Sequence, residues 1–307
     1  MGKARKAGVK TASSESGALG FEELRQEEGK WILHGKPASA QQSDDLVPAV
    51  DKAVRALALI NASGKDLSLA TIADETQITK SHCYSILRTL VHHGWLSFDA
   101  NRKTYSLNAG ILRDLSQILH GSTPVSLIRP MIDKFSVRTG VSCILSEPLD
   151  RIGFVVVAKA SARGQLEISY PIGHHFPRDA SAQMKAYLAW SDEKAIEHWF
   201  LGWRPTRYSA STPTTLDEIR KELLATRLRG YSRSIGEFTD GLTALALPIF
   251  NRAGKVAYIL NSMGISTAMA PIERQVAEQM ITTISEIHEL IGSNAPASFP
   301  TTQPSMS

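Results

Sequence analysis

Lys80, Ser81, His82, Tyr84, Ser85 and Arg88 crowd into nine residues. Their cationic, hydroxyl, phenol and imidazole groups are the kinds that meet phosphates and base edges of nucleic acid. Cys83, Ile86, Leu87, Leu90 and Val91 recur among them at i, i+3, i+4, i+7 and i+8, which is one face of a helix. The polar set is left on the opposite face, with His82 at its flank. Arg102 and Lys103 lie in the polar turn of residues 99–103, between Leu96 and Phe98 on one side and Tyr105 and Leu107 on the other. A hairpin would carry both cations at its tip. The same face could be solvated surface on a domain that docks a protein partner, and spacing alone leaves both readings open.

Catalytic chemistry finds less to stand on. No GxSxG, Walker A, GxGxxG or HExxH pattern occurs. His92 and His93, like His174 and His175, are adjacent, so in an extended segment each pair would point to opposite faces and not share a metal. No metal and no cofactor is expected. Cys83 and Cys143 form no CxxC pair and fall among apolar neighbours, as buried small side chains do. A disulfide scaffold is excluded, and a reducing cytoplasm is the expected setting.

These residues need elements to hold them. The chain of 307 residues is long enough for about two domains. Val50, Val54, Leu57 and Ile60 predict a helix stopped at Gly64; Ser68 caps a second one carrying Leu69, Ile72 and Ala73; Thr79 caps the third, which Gly94 ends. Three helices and a hairpin within residues 47–108 are the order of a winged helix-turn-helix domain. Lys and Arg number 34 against 30 Asp and Glu, a net charge of +4. Residues 49–108 carry 7 basic and 5 acidic side chains, so specific contacts and dimerisation, more than bulk attraction, must supply affinity for DNA.

Residues 1–46 are rich in Gly, Ala, Ser, Gln and Lys and read as a flexible extension with a basic tip of Lys3, Arg5, Lys6 and Lys10, allowing one short helix at 21–33. Residues 11–20 are too polar for a signal-peptide core, and no apolar run approaches the ~20 residues that span a bilayer, so no membrane partner is expected. A linker helix is expected at 109–122. Residues 123–292 alternate helices (126–139, 179–190, 192–200, 216–229, 271–291) with strands (141–146, 152–159, 166–169, 243–250, 256–261), an α+β domain, and 293–307 reads as a flexible tail.

Several runs resemble the DNA-binding domain of IclR-type bacterial transcriptional regulators: residues 47–53 and 67–73, Lys80 and Ser81 leading to Leu87, Arg88, Thr89 and Leu90, then Gly94, Trp95 and Leu96, and the close at Tyr105, Ser106 and Leu107. The resemblance continues through Arg129 and Pro130, Ala180 to Ala182 with Lys185, Arg229 to Tyr231, and Glu237, Gly241, Ala246 and Pro248, covering about residues 47–292. It implies a winged helix-turn-helix followed by a GAF-like effector-binding domain. It also implies double-stranded operator DNA, a small organic effector, and a homodimer or dimer of dimers as partners, with catabolic genes as the regulated class.

The resemblance places an effector pocket among residues 180–185, 234–246 and 260–262. Ser181, Ser234, Thr243 and Ser262 stand there as hydrogen-bonding groups, with Met184, Leu242, Ala244 and Leu260 as an apolar wall, a balance that suits an aromatic or otherwise partly apolar organic acid. Met184, Leu242 and Leu260 could equally be core. Three departures stand out: Ser85 where the family usually has arginine, Asp179 where it has histidine, and Met184 where it has glycine. They put the operator sequence and the pocket chemistry outside direct transfer. A small-molecule enzyme or a protein-interaction module with an appended helical domain remain the rival classes.

Overall fold

A computed structural model describes residues 24–27, 30–33, 46–115, 123–149, 152–162, 168, 170–202 and 206–300. The chain divides into two compact units, residues 1–121 and 122–307. In the first, β1 (Leu24–Glu27) and β2 (Lys30–Leu33) pair antiparallel, Leu24 opposite Leu33, where a short helix was expected. Trp31 and Ile32, aromatic and β-branched, favour the strand.

The helix α1 (Pro48–Ser63) starts with proline in its first turn and stops at Gly64, whose φ of 59° suits glycine. Its buried face is turned from the expected one. Ala56 and Ile60 are buried with Ala53 and Leu57 packed beside them, whereas Val50 and Val54 are 60% and 59% exposed. The four inward positions are still at helical spacing, but alanines serve where valines were expected.

After β3 (Leu67–Ser68) comes α2 (Leu69–Thr76), whose N-cap Ser68 accepts the Thr71 amide, as its position predicts. The third helix, α3 (Lys80–His92), buries Cys83, Ile86, Leu87 and Leu90. A hairpin of β4 (Leu96–Asp99) and β5 (Thr104–Leu107) follows, and β3 joins it to make a three-stranded sheet in the order β3-β5-β4. Two residues are too few for a strand to show alternation in sequence, which is why β3 escapes it. Leu107 ends β5, and α4 (Gly110–Asp114) is the described part of the expected linker helix. Trp95 donates its indole N–H to Asp114 at 2.7 Å, fastening α4 to the base of the wing.

The second unit is built on a six-stranded antiparallel sheet in the order β8-β7-β6-β11-β10-β9. Its strands are β6 (Cys143–Leu149), β7 (Gly153–Ala160), β8 (His175–Pro177), β9 (Ser232–Ile235), β10 (Leu242–Phe250) and β11 (Val256–Ile265). One face, with Leu145, Leu245, Leu247 and Leu260, packs on α5 (Pro124–Thr139) and the long C-terminal helix α10 (Glu273–Ile291), which follows the single turn of α9 (Ser266–Met269). The other face, with Ile144, Phe154, Ala246 and Ile259, packs on α6 (Ser181–Leu188), α7 (Glu193–Phe200) and α8 (Leu216–Arg229). Successive side chains of a strand point to opposite faces, so each central strand feeds both cores.

Thr215 and Glu218 form a reciprocal capping box at the start of α8, and Gly230 ends it, so these boundaries match the sequence reading. Of the strand expected at 166–169, Ile168 is described and is not in a strand, and the other positions lie outside the described residues. The neighbour of β7 is β8 instead, and β9, reading Ser-Arg-Ser-Ile, lacks the apolar alternation that would announce it. Among the described residues no helix is long and apolar enough to cross a membrane.

The segment after α10 differs from the expected flexible tail, being docked as far as residue 300. Phe299 is 4% exposed, set against the rings of Trp190, Phe250 and His288. Trp190 donates to the Ser298 carbonyl at 3.3 Å, and the Asn294 amide donates to the Asn251 carbonyl at 3.0 Å. His288 accepts the Phe250 amide, and burial holds its imidazole neutral with a pKa lowered to about 4. One aromatic residue in a polar run gives no period to read, so composition misleads here. Phe299→Ala is expected to destabilise the second unit by about 3–5 kcal/mol, read as a lowered midpoint in urea unfolding.

Candidate functional site

On α3 the structure keeps the expected division of faces. Lys80, Ser81, His82, Tyr84, Ser85 and Arg88 are all exposed, opposite the buried set. Two of them already have local partners: the Ser85 hydroxyl donates to the Ser81 carbonyl at 3.2 Å, and His82 Nδ1 lies 3.4 Å from the Lys52 ammonium. Thr89, which the sequence reading passed over, is exposed one residue beyond Arg88 and donates to the Ser85 carbonyl. Arg102 and Lys103 stand at the hairpin tip. Asp99 shapes that tip by accepting the amides of Asn101 and Arg102 at 2.8 and 3.1 Å, and these bonds hold its carboxyl below the usual range. Lys103 takes a φ of 54°, an uncommon left-handed conformation for a side-chain-bearing residue.

The second unit contains a cleft with about 400 Å³ of empty space, counting the part open to solvent. It opens where the N-terminus of α6 meets β10 and β11. Of the eight expected effector residues, Ser181, Ser234, Leu242 and Ala244 line it. Met184, Thr243, Leu260 and Ser262 do not. Thr243 and Ser262 turn to the opposite face of the sheet, where Thr243 bonds to Ser266 and Ser262 donates to the Ser142 carbonyl; Leu260 is in the core beneath α10, and Met184, on α6 itself, is packed in the core between that helix and the sheet.

Strand parity explains the split. Ala244 pairs across with Met263 and Ala246 with Asn261, so even positions of β10 and odd positions of β11 share the cleft face. Asn261 and Met263 therefore line the cleft in place of Leu260 and Ser262. Alternation along the strand groups these two in sequence, but the fold decides which parity faces the cleft. The aromatic wall of Tyr170, Phe176 and Phe238 could not be found that way, because these residues come from separate segments brought together by the fold. Phe176 reaches the wall because β8 lies close to β7: a Cβ added at Gly153, where φ is 143°, would stand 2.1 Å from the Phe176 carbonyl oxygen.

Polar groups at the cleft are arranged around α6. The helix begins without a side-chain cap, so the amides of Ser181, Ala182 and Gln183 have no partner within the helix, and all three residues line the cleft. The Ser181 hydroxyl donates to Glu237 Oε2. One turn on, Lys185 is 0% exposed, with its ammonium 2.9 Å from both Glu237 oxygens, 3.3 Å from Glu222 and bonded to the Arg233 carbonyl. Gln183 donates to Ser146 at 2.9 Å. Asn261, 3% exposed, leaves its Oδ1 without a partner. Asp179, at the departure noted above, accepts the Tyr208 hydroxyl at 2.7 Å, and burial together with that carboxylate pushes the phenol pKa upward. Tyr208 in turn stacks on Phe238, ring centroids 4.5 Å apart.

Comparison with known proteins assigns the architecture. The model of the IclR helix-turn-helix domain matches residues 49–100, and that of the bacterial transcriptional regulator IclR C-terminal domain matches residues 117–289. The chain belongs to the IclR family of transcriptional regulators, whose members bind operator DNA and small-molecule effectors and are not enzymes. Among its relatives is the HTH-type transcriptional regulator XynR of Escherichia coli, 23% identical over 74% of this chain and 89% of that one. Another, the p-hydroxybenzoate hydroxylase transcriptional activator of Acinetobacter baylyi, is 24% identical over 85% and 98%. The crystal structure of an IclR transcriptional regulator from Alicyclobacillus acidocaldarius has the same fold, with a TM-score of 0.70 at 23% identity, covering 80% of this chain and 98% of its own.

The buried ammonium makes the cleft's support testable. Removing Glu237 strands most of the Lys185 charge in a dry site, which for buried pairs costs about 3–5 kcal/mol. Glu237→Ala should lower the urea midpoint of the second unit accordingly, and Glu237→Gln, which keeps an acceptor, should lower it less.

Proposed function

We propose that this regulator senses a small organic acid with an aromatic or otherwise apolar body and through it controls catabolic genes. The observation that carries the reading is the uncapped N-terminus of α6 opening into an aromatic-walled cleft. Helix amides there carry partial positive charge and suit a carboxylate, while Tyr170, Phe176 and Phe238 suit a ring. Among the described residues no lysine or arginine lines the cleft, and the amides of α6 meet the acid in place of a counter-cation. Ser181, Ser234, Leu242 and Ala244 are the effector-contacting members of the expected set. Met184, Thr243, Leu260 and Ser262 support them from behind. The relative named for activating p-hydroxybenzoate hydroxylase transcription points to the same chemical class.

On DNA, Lys80, Arg102 and Lys103 contact phosphates, while Ser81, His82, Tyr84, Ser85 and Arg88 face base edges in the major groove. A homodimer or dimer of dimers places two such helices on a pseudo-palindromic operator. The effector acts by binding one arrangement of the protein better than the other, a coupling typically of ~1–3 kcal/mol.

Two measurements test this. Arg88→Ala, tested on DNA selected by the wild type from a random library, should weaken binding by about 1–3 kcal/mol without changing the melting temperature. Unchanged affinity would remove α3 from base reading. In a thermal-shift screen of the full chain, an aromatic acid at 100 times its Kd should stabilise by about 2.7 kcal/mol. Stabilisation by neutral aromatics and by no acid would overturn the acid reading.

A further inference from the structure

We propose that Asn261 makes this cleft select acids that also carry a hydrogen-bond donor, such as a ring hydroxyl, away from the carboxylate; the proposal rests on the acid reading above. Buried polar side chains are nearly always paired, and an unpaired one calls for an explanation. Asn261 is almost wholly buried, lines the cleft, and has an amide oxygen with no partner. Its neighbours on the sheet do not meet that need. Across β10 it faces Ala246, and across β6 it faces Ile144, both apolar.

Two side-chain donors beside it on the cleft wall are committed elsewhere. Gln183 gives its amide to Ser146, and Ser181 gives its hydroxyl to Glu237. A ligand hydroxyl reaching Asn261 Oδ1 would therefore make a hydrogen bond that the free protein lacks. An acid without that hydroxyl would bury the same oxygen still unpaired, which is the situation in which polar sites discriminate best. The carboxylate at α6 and the hydroxyl at β11 then fix the two ends of one small molecule, and the aromatic wall fixes its plane.

The test is a calorimetric titration of the full chain with benzoate, 3-hydroxybenzoate, 4-hydroxybenzoate, 4-methoxybenzoate and phenol. The better hydroxybenzoate should bind at least about tenfold more tightly than benzoate, and 4-methoxybenzoate, which can only accept, should gain nothing. In Asn261→Leu the hydroxyl preference should fall to about one, with no loss of thermal stability in the free protein, because an unpaired amide has been replaced by an apolar group of similar size. Should the leucine variant fail to fold, Asn261→Asp, which keeps size and acceptors but adds charge, should weaken every acid while keeping the hydroxyl preference, and loss of that preference there would overturn the role of the acceptor. Equal binding of benzoate and both hydroxybenzoates, a preference for the methoxy compound, or a preference retained in Asn261→Leu would each overturn the role of Asn261 and leave the acid reading standing. Binding of phenol without any acid would overturn the acid reading instead, and no binding at all would overturn both.

Discussion

One lysine ammonium with no access to solvent organises the second unit. A buried charge is tolerated when its partners surround it, and Lys185 meets Glu237, Glu222 and the Arg233 carbonyl at a single nitrogen. Those partners come from the loop before β10, from α8 and from β9, so one atom ties three elements to α6. Glu237 is held from its other side as well, where its carbonyl accepts the Thr212 hydroxyl at 2.6 Å. Phe238 and Thr239 follow directly in the chain and line the cleft, so their placement depends on the same anchor. Ser181, one turn before Lys185 on the same side of the helix, shares Glu237 and links the mouth of α6 to that anchor.

This arrangement shows what a sequence can and cannot reveal. Helix boundaries were legible wherever a local device sets them, as at Ser68, Gly64 and the Thr215 to Gly230 helix, because caps act within a few residues. The polar face of α3 was legible because burial of one helical face dictates the other. In α1 the same argument picked the larger apolar side chains and was right for Leu57 and Ile60 only, since Ala53 and Ala56 contribute little hydrophobicity yet occupy the other positions that turn inward. Val50 and Val54, which periodicity had assigned to the core, are exposed instead, as are Leu46 and Val47 just before them.

The cleft was legible by region and not by residue. Both parities of β10, and on β11 the parity that faces away, were drawn into the expected pocket, although a strand can offer only alternate residues to one side. Choosing between them requires knowing which face α6 covers, and that is a tertiary fact: Leu245 and Leu260 are as apolar as any cleft residue, yet they face α10. The Lys185 anchor was invisible for a related reason. Lys185, Glu222 and Glu237 lie 37 and 52 residues from one another along the chain from the lysine, so no spacing rule joins them.

A cationic cleft would attract many anions, large and small, since a point charge discriminates weakly by shape. Here Lys185 is withdrawn beneath the site and already paired, leaving, among the described residues, neutral walls and the amides of Ser181, Ala182 and Gln183. Helix amides recognise an anion only within the short reach of their hydrogen bonds, so an acid gains from them only if the rest of it fits. A small, fully polar anion would leave Tyr170, Phe176 and Phe238 uncovered and forfeit the apolar contribution that a ring supplies. Under the proposed reading, withdrawal of the Lys185 charge and selection for an apolar body are therefore two sides of one constraint: the ammonium that holds the cleft together cannot also be the group that binds its ligand.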